Sequence, residues 1–338
     1  MQPALERIAR RQRGVFHRAQ AVAAGHTTVE IDRLLRRGVW TCVSRGIYTA
    51  RPYVETRARS DRDMHLLAAA ARLLTIGGDV VLSHQSAAVY HEIALLDPWP
   101  QMPTVTRARG TQLRSARGHS VTFVPAHHRK GRLTTPARTV IDCARVLDEA
   151  PGFVTVESAL WLGLDRAALA AVLADCAGWP GVDKARRLVA EAGEHSETPL
   201  ESRARLWCRD NGLPPAQQQR TVRTLHGVFV AEVDFVWDEY RTVLETDGRV
   251  KYADDKGGKA GVVWSEKLRE DRIRDCGLQV VRGYWSDGED GGAGLAERLR
   301  RAFARGERAV GPREYTLGPP IRPRLRPLAP PEADRLAG

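Results

Sequence analysis

The sequence predicts an α+β protein built from several domains, and three observations lead to this prediction. Its 338 residues exceed what one hydrophobic core usually serves. The first 50 residues follow the order helix, helix-turn-helix and two short strands, which is the order of a winged helix. Residues 194–305 alternate helix, strands, helix and strand, and the region before them looks mixed α/β.

These patterns divide the chain into four segments. We expect a winged helix-turn-helix over 1–55, a mixed α/β region over 56–193 and a third α/β/α domain over 194–308. In the middle region, helices are predicted near 61–75 and 84–92 and again after Thr135. Seven of the 19 prolines lie in the last 28 residues, so 309–338 is predicted to be a disordered tail.

Composition narrows the class of protein. The 43% hydrophobic and 28% charged residues are usual for a globular protein, and no apolar run has the roughly 18 residues of a membrane span. The N-terminus lacks the apolar core of a secretory signal, so we expect a cytoplasmic protein without membrane contact. The five cysteines are far apart, which argues against a zinc site or a disulfide framework.

The net charge of +11 is unevenly distributed. Residues 1–60 carry 12 Lys and Arg against 4 Asp and Glu, whereas residues 191–300 carry 17 against 21. The basic N-terminus indicates a polyanionic partner. The acidic region suggests that carboxylates are clustered there for a role other than binding a polyanion directly. An Arg-rich composition also produces some basic charge without any function.

The basic segment has the features of a DNA-reading element. Thr27 begins the third helix with Glu30 at capping-box spacing, and Val29, Ile31, Leu34 and Leu35 are predicted to face inward. A helix of this kind fits the major groove, and basic side chains beside it hold phosphates. The residues we predict to contact DNA here are Thr27, Thr28, Arg33, Arg36, Arg37 and, at the turn of the strand hairpin, Arg45. The alternative is a small helical domain for protein contacts with solvated arginines.

The same region resembles a known family. The runs that carry the resemblance are Gly14-Val15-Phe16, Ala23-Ala24-Gly25, Leu34 to Gly38, Ser44 to Tyr48, Val81 to Ala88 and Leu133 to Asp142. Over about residues 4–150 they resemble the winged-helix antitoxins of type IV toxin–antitoxin systems, of the abortive-infection E type. The resemblance implies a repressor of its own operon and a cognate toxin or other protein as partner.

Acidic residues alternate along two predicted strands of the third region. If the hairpin turn is centred between residues 239 and 240, Asp234 lies opposite Glu245 and Glu232 lies opposite Asp247. Period-2 geometry then places all four on one face of the sheet, where a divalent cation would offset their repulsion. Mg²⁺ is held in this way, by one or two carboxylates with waters and a phosphate oxygen. The alternative is a solvent-facing polar side of an edge hairpin.

Two helices complete this candidate site. Glu201 follows Thr198-Pro199 at a helix start, where it serves either as a capping residue or in a metal site. A charged helix over 264–275 carries Arg269, Arg272 and Arg274, which are able to steer a phosphate. A solvated charged face is the alternative for that helix. Four histidines, His84, His91, His127 and His128, lack cysteine or carboxylate at ligand spacing and are expected to be core or solvated residues.

Residues 195–285 resemble the PD-(D/E)xK superfamily, specifically the very-short-patch-repair-like endonuclease domains. The matching positions are Glu201, Asp234, Glu245-Thr246-Asp247-Gly248, Asp271-Arg272 with Arg274, and Gly277 to Arg282. The sequence departs from that pattern at Asp247, where lysine is usual, and at Tyr252, where many relatives have histidine. Lys251 or Arg249 stands nearby as a substitute.

The resemblance implies a restriction-endonuclease-like fold and a Mg²⁺- or Mn²⁺-dependent DNA endonuclease. Asp234, Glu245 and Asp247 would hold the metal, Glu201 would orient water and Lys251 would stabilise the transition-state charge. No small-molecule cofactor is evident. The alternative is a non-catalytic DNA-binding regulator with an inactive nuclease-like domain. A pure protein-interaction module accounts less well for the basic N-terminus and the acidic strands.

Overall fold

The structure is a computed structural model that describes residues 1–78, 80–96, 99–107, 113–114, 120–121, 126–248, 259–309 and 311–320. The chain divides into two compact units, one of which ends at Ala192 while the other begins at Gly193. Each unit mixes helices with β-sheets, in agreement with the predicted α+β class. In the part of the chain that the structure describes, no helix is both long and apolar enough to cross a membrane.

The first 50 residues form three helices and a three-stranded antiparallel sheet in the order β1-β3-β2. The elements are α1 (Pro3–Arg11), β1 (Val15–His17), α2 (Arg18–Ala23), α3 (Thr28–Arg36), β2 (Trp40–Ser44) and β3 (Ile47–Ala50). The helices and the β2–β3 hairpin agree with the sequence prediction. Strand β1 was not predicted, because three residues are too few to show a period.

A small aromatic core holds this segment together. The Phe16 ring meets Trp40 edge-on with their centroids 4.8 Å apart, and Ile31 of α3 is fully buried in the same cluster. Gly38 adopts a φ of +66° just after α3, a conformation that favours glycine and ends the helix. Val29 was predicted to face inward, but it is 63% exposed because it lies about 200° around the helix from Ile31.

The remainder of the first unit consists of helices around a second, mixed sheet, in the order β5-β4-β9-β8, and a separate β6-β7 pair. Its helices are α4 (Arg51–Arg57), α5 (Asp61–Ile76), α6 (His84–Tyr90), α7 (Pro136–Val146), α8 (Glu149–Trp161), α9 (Arg166–Asp175) and α10 (Val182–Glu191). Its strands are β4 (Val80–Leu82), β5 (Val105–Arg107), β6 (Leu113–Arg114), β7 (Ser120–Val121), β8 (Arg129–Lys130) and β9 (Leu133–Thr134), and a 3₁₀ turn spans Ala126–His128.

A buried ionic network lies at the centre of α7. Asp142 is 1% exposed and accepts hydrogen bonds from Arg138 at 2.8 Å and from Arg145 at 3.0 Å. Both guanidinium groups also lie over the ring of Trp179, 4.7 and 4.9 Å from its centroid. The Asp142 carboxylate and the Trp179 ring therefore both help to offset the charge of two buried cations.

The second unit is built on a five-stranded mixed sheet in the order β13-β12-β11-β10-β14. Its elements are α11 (Pro199–Asp210), β10 (Gln217–Thr224), β11 (Phe229–Trp237), β12 (Thr242–Thr246), α12 (Lys259–Asp275), β13 (Gln279–Gly283), a 3₁₀ turn (Trp285–Gly288), α13 (Ala293–Arg308) and β14 (Tyr315–Pro320). One face packs on α11 and α13 through a core that includes Trp207 and Phe235, and the other face packs on α12 through Ile273.

Strand β14 corrects the predicted tail. Residues 309–338 were expected to be disordered because of their prolines, but Tyr315–Pro320 pairs antiparallel with β10 at the edge of the sheet. An edge strand tolerates prolines, since only one of its sides donates to a neighbour. Tyr315 is buried and its hydroxyl donates to Asp238 over 2.7 Å, which anchors the segment. Residues 321–338 lie outside the described part of the chain.

Candidate functional site

An exposed basic surface surrounds helix α3 in the first unit. Arg33, Arg36 and Arg37 are exposed at the C-terminal half of the helix, and Arg45 is exposed in the turn between β2 and β3. Within the described residues none of these four arginines forms an ion pair. Thr28 and Val29 are exposed at the N-terminal end of the same helix. The side chains that were predicted to contact DNA are therefore open to a partner.

The capping box predicted at Thr27 is present. Its Oγ1 accepts the Glu30 amide at 3.2 Å, and the Glu30 carboxylate accepts the Thr27 amide at 3.2 Å. The Thr27 hydroxyl is thus engaged in the helix cap, and Thr28 is the better placed of the two for an external contact. Arg18 ties α2 to α3 and β3, since it donates to Asp32 at 3.0 Å and to the Tyr48 hydroxyl at 3.2 Å.

The acidic hairpin of the second unit has the predicted register. Phe235 pairs with Leu244 and Trp237 with Thr242, so the next pair outward is Asp234 with Glu245. Val236 and Val243 pack with Ile273 of α12 and with Cys276, which directly follows the helix. Because side chains two positions apart share a sheet face, Asp234 and Glu245 also face α12.

Arg269 of α12 reaches this acidic face. Its guanidinium donates to Glu245 Oε2, while the other carboxylate oxygen, Oε1, is buried without a hydrogen-bond partner. Glu245 is only 4% exposed. Burial lowers the pKa of Arg269, and the nearby carboxylates of Asp234 and Glu232 act in the opposite direction. Among the described residues, Arg269 thus faces three acids, the charge of Arg282 acts on it as well, and Oε1 of Glu245 is left without a hydrogen-bond partner.

Asp234 is oriented by the end of β12. Its Oδ2 accepts hydrogen bonds from the Thr246 amide and from the Thr246 hydroxyl, each at 2.7 Å. Burial, and next the charge of Asp234, raise the pKa of Glu232, two positions before it on β11. The charge of Asp234 therefore affects the ionisation of a second acid on the same strand.

Glu201 joins the cluster from α11. It is 3% exposed and accepts hydrogen bonds from the Glu197 amide at 2.9 Å, from Thr198 Oγ1 at 2.8 Å and from Gln219 Nε2 at 2.8 Å. Burial, followed by the charge of Asp234, raises its pKa to about 8. The helix is capped by Thr198, and Glu201 accepts the amide of Glu197 instead of completing a reciprocal capping box. Glu201 is close enough for the charge of Asp234 to act on it, which is compatible with its predicted role in a metal site.

The other predicted site residues are less involved. Asp247 is half-buried just after β12, and its amide donates to the Gly283 carbonyl at 2.9 Å. Arg272 is exposed on α12, whereas Arg274 is paired with Glu270 at 2.7 Å. Lys251 lies outside the described residues, as do Arg249 and Tyr252.

Two polar residues of the site were missed from the sequence. Gln219 has a φ of +50° in β10, which breaks the regular alternation of the strand. Its amide reaches Glu201 by this irregularity, so no periodic pattern indicated it. Thr246 was detectable in principle, since it lies between two of the predicted acids and caps the carboxylate across the hairpin.

The residues present fit a divalent cation of the Mg²⁺ class. Two carboxylates, Asp234 and Glu245, face the same helix, and the orphaned Oε1 of Glu245 offers a buried oxygen ligand. Within the described residues, no third carboxylate oxygen comes close enough to complete a preformed three-ligand set. Mg²⁺ suits such an arrangement, because it keeps several waters and needs only one or two carboxylates.

Two histidines of the first unit also differ from the prediction. His127 and His128 were expected to lack a carboxylate partner, but their Nε2 atoms lie 3.0 and 2.9 Å from Asp175 Oδ2. Asp175 follows His128 by 47 positions, which hides this contact from any local spacing rule. His91 is a core histidine as expected, buried with its Nε2 2.8 Å from the Thr134 carbonyl oxygen.

The basic surface lies in a segment of the chain that matches a known protein family. Residues 3–50 match the model of the family described as a transcriptional regulator, AbiEi antitoxin. The matched residues run from the first residue of α1 to the last residue of β3, and they include every exposed arginine of the surface described above.

Two curated relatives cover a longer part of the chain. They are uncharacterized proteins of Mycobacterium tuberculosis, from strains CDC 1551 / Oshkosh and ATCC 25618 / H37Rv, and each is 30% identical over 181 residues. The aligned part is 53% of this chain and 65% of each relative. The chain thus spans slightly less than two thirds of their length.

Proposed function

We propose that the protein is a DNA-binding transcriptional regulator that reads DNA through a winged helix in residues 3–50. The observation that carries this proposal is the group of exposed, unpaired arginines on α3 and the β2–β3 turn, inside the segment that matches the antitoxin regulator model. In this arrangement α3 enters the major groove and the hairpin acts as the wing. A cognate toxin is a further partner that this family suggests.

The two ends of the exposed face of α3 are suited to different parts of the DNA. Thr28 and Val29 at its N-terminal end are suited to base edges, since a hydroxyl hydrogen-bonds to bases and an apolar branch packs on a thymine methyl group. Arg33, Arg36 and Arg37 follow at the other end and are suited to phosphates. Arg45 lies in the wing turn, from which it reaches the backbone or the neighbouring minor groove.

The test is DNA binding by the full chain as a function of salt. We expect the double variant Arg36→Ala/Arg37→Ala to weaken binding to its own promoter DNA and to lower the slope of log K against log salt by about 1.8, since each lost phosphate contact removes about 0.9. Arg301→Ala, an equally exposed arginine on α13, serves as the control and should leave the slope unchanged. An unchanged slope in the double variant would refute the assignment of this surface.

A second candidate function is metal-dependent hydrolysis of DNA phosphodiester bonds by the second unit. The observation that favours it is the buried, unpartnered Oε1 of Glu245 beside Asp234, on the face where both acids were predicted. Such an atom is costly unless a ligand binds it. The PD-(D/E)xK resemblance offers a reason for its presence.

In this activity each residue has a distinct task. Asp234 and Glu245 would hold Mg²⁺ or Mn²⁺, with Asp247 as a further candidate ligand, and the bound cation would supply Lewis acidity toward the scissile phosphate. Thr246 fixes the orientation of the Asp234 carboxylate through two hydrogen bonds. Glu201, with its pKa near 8, is suited to hold or accept a proton from an attacking water. Lys251 and Arg272 are the residues predicted to contact the phosphate.

Plasmid cleavage separates the two functions. Purified protein is incubated with supercoiled DNA and Mg²⁺ or Mn²⁺, with chelator as the negative condition. Nicking that is lost in Asp234→Asn and retained in Asp210→Asn, an exposed acid on α11, would establish the nuclease. DNA retardation without any nicking would leave the regulator as the function of the chain.

A further inference from the structure

A cluster of metal-ligand side chains lies in the first unit, on elements other than those that carry the basic surface. His127 and His128 follow one another in a short 3₁₀ turn before β8, and Asp175 is the last residue of α9. The two Nε2 atoms and one Asp175 oxygen all lie within 4.8 Å of one another. In the described residues this is the only group of three potential ligands that meets this distance.

We propose that His127, His128 and Asp175 form a binding site for a divalent cation of the zinc class. Two imidazole nitrogens and one carboxylate are the donors that Zn²⁺ and Co²⁺ accept, whereas Mg²⁺ prefers oxygen. Each Nε2 is about 3 Å from Asp175 Oδ2. Ligands of a tetrahedral zinc ion are separated by about 3.3 Å, so only a small side-chain adjustment is needed.

His128 provides an independent observation that points to a ligand. It is 5% exposed, and its Nε2 has no aligned hydrogen-bond partner although the Asp175 oxygen is only 2.9 Å away. A bound metal would give this buried ring nitrogen an aligned partner.

The position of Asp175 favours a cation as well. The carboxylate lies at the C-terminal end of α9, where the helix dipole is negative and an acidic side chain is unfavourable. The neighbouring cation Arg138, whose charge acts on His128, is itself paired with Asp142 at 2.8 Å. His127 and Asp175 are both exposed, which leaves a fourth coordination position open to water.

Cobalt binding by the full chain tests this site. Co²⁺ gives visible absorption bands whose intensity reports tetrahedral coordination, and Zn²⁺ is then used to displace it. We expect one Co²⁺ per chain at this site, with at least tenfold weaker binding in His127→Gln and in Asp175→Asn, since even partners of metal ligands contribute 10–100-fold. Both substituted residues are exposed, so the variants should fold, and far-UV circular dichroism checks this.

Matched controls separate this site from the acidic cluster of the second unit. His226→Gln and Asp183→Asn change exposed residues of the same types and should bind Co²⁺ like the unmodified chain. Asp234→Asn, in the acidic cluster, should retain the cobalt bands. Absence of bands in the unmodified chain, or equal bands in Asp175→Asn, would overturn the proposal.

Discussion

Two buried charge clusters in this protein follow opposite rules. In the first unit, Asp142 is paired with Arg138 and Arg145, and the face of Trp179 supports both cations. In the second unit, Arg269 faces Asp234, Glu232 and Glu245, and among the described residues Oε1 of Glu245 has no hydrogen-bond partner. The first cluster gathers cations around a carboxylate, which is a structural arrangement. Within the described residues the second gathers carboxylates around a cation, which suits a site for a positively charged ligand.

The largest expected effect is the difference in unfolding free energy when the central acid of each cluster is removed. Asp142→Ala leaves two buried cations without their carboxylate and should cost about 3–5 kcal/mol of unfolding free energy. Glu245→Gln removes one anion from an acid-rich cluster and should change stability by less than about 1 kcal/mol without metal. Urea unfolding, followed by hydrogen exchange of peptides from α7 and β12, measures both. The reverse order would abolish the distinction between the two clusters.

The next largest effect is a pH dependence of the stability of the second unit, which we do not expect for the first cluster. The folded-state pKa of Glu201 is raised to about 8, so its stabilising contribution is complete below its ordinary value of 4.5 and is lost as the pH rises toward 8. Hydrogen exchange of β11 should therefore show less protection at pH 8 than at pH 5. The loss should be below the roughly 5 kcal/mol that the full shift represents.

Glu201→Gln is the matched variant for that measurement. The amide keeps the shape of the side chain and cannot ionise, so the protection of β11 should become nearly constant between pH 5 and 8. A slope that persists in Glu201→Gln would assign the pH dependence to another group. Peptides from α7, which belongs to the other unit, act as an internal reference.

Cation binding to the second cluster should itself depend on pH. Glu201 is protonated at neutral pH, and a cation beside Asp234 would favour its ionised form, so binding should release a proton. Mn²⁺ affinity should then rise between pH 6 and 8 by at most about tenfold per pH unit. Calorimetry in two buffers of different ionisation enthalpy detects the proton. Equal heats in both buffers would exclude this coupling.

The smallest expected effect concerns the Trp179 ring, which lies against both arginines of the first cluster. Trp179→Leu keeps an apolar side chain but removes the ring face under Arg138 and Arg145, and should cost about 1–2 kcal/mol. Thermal unfolding followed by circular dichroism measures this change. A neutral result would mean that the ring of Trp179 does not contribute to offsetting the two guanidinium groups.

The sequence predicted those parts of the molecule that depend on local periods. The register of the β11–β12 hairpin followed from alternation around a symmetric turn, and the cap of α3 followed from Thr27 and Glu30. The inward orientation of Val29 was wrong because every apolar residue of α3 was assigned to one face.

Contacts between distant residues were beyond the reach of the same patterns. His128 meets Asp175 only because the 3₁₀ turn and the end of α9 come together in three dimensions. Gln219 reaches Glu201 through a backbone irregularity that no alternation reveals. The sequence thus predicted which acidic residues form the candidate site. Their hydrogen-bond partners and the shifted pKa of Glu201 depended on the tertiary fold and were not predictable.

Strand β14 has a practical consequence for anyone preparing the second unit as a fragment. Tyr315–Pro320 completes the hydrogen bonding of β10, so a fragment that stops after α13 would leave a long strand edge open. Open edges of this kind recruit strands from other molecules and promote aggregation. A fragment meant for crystallisation should therefore extend beyond residue 320.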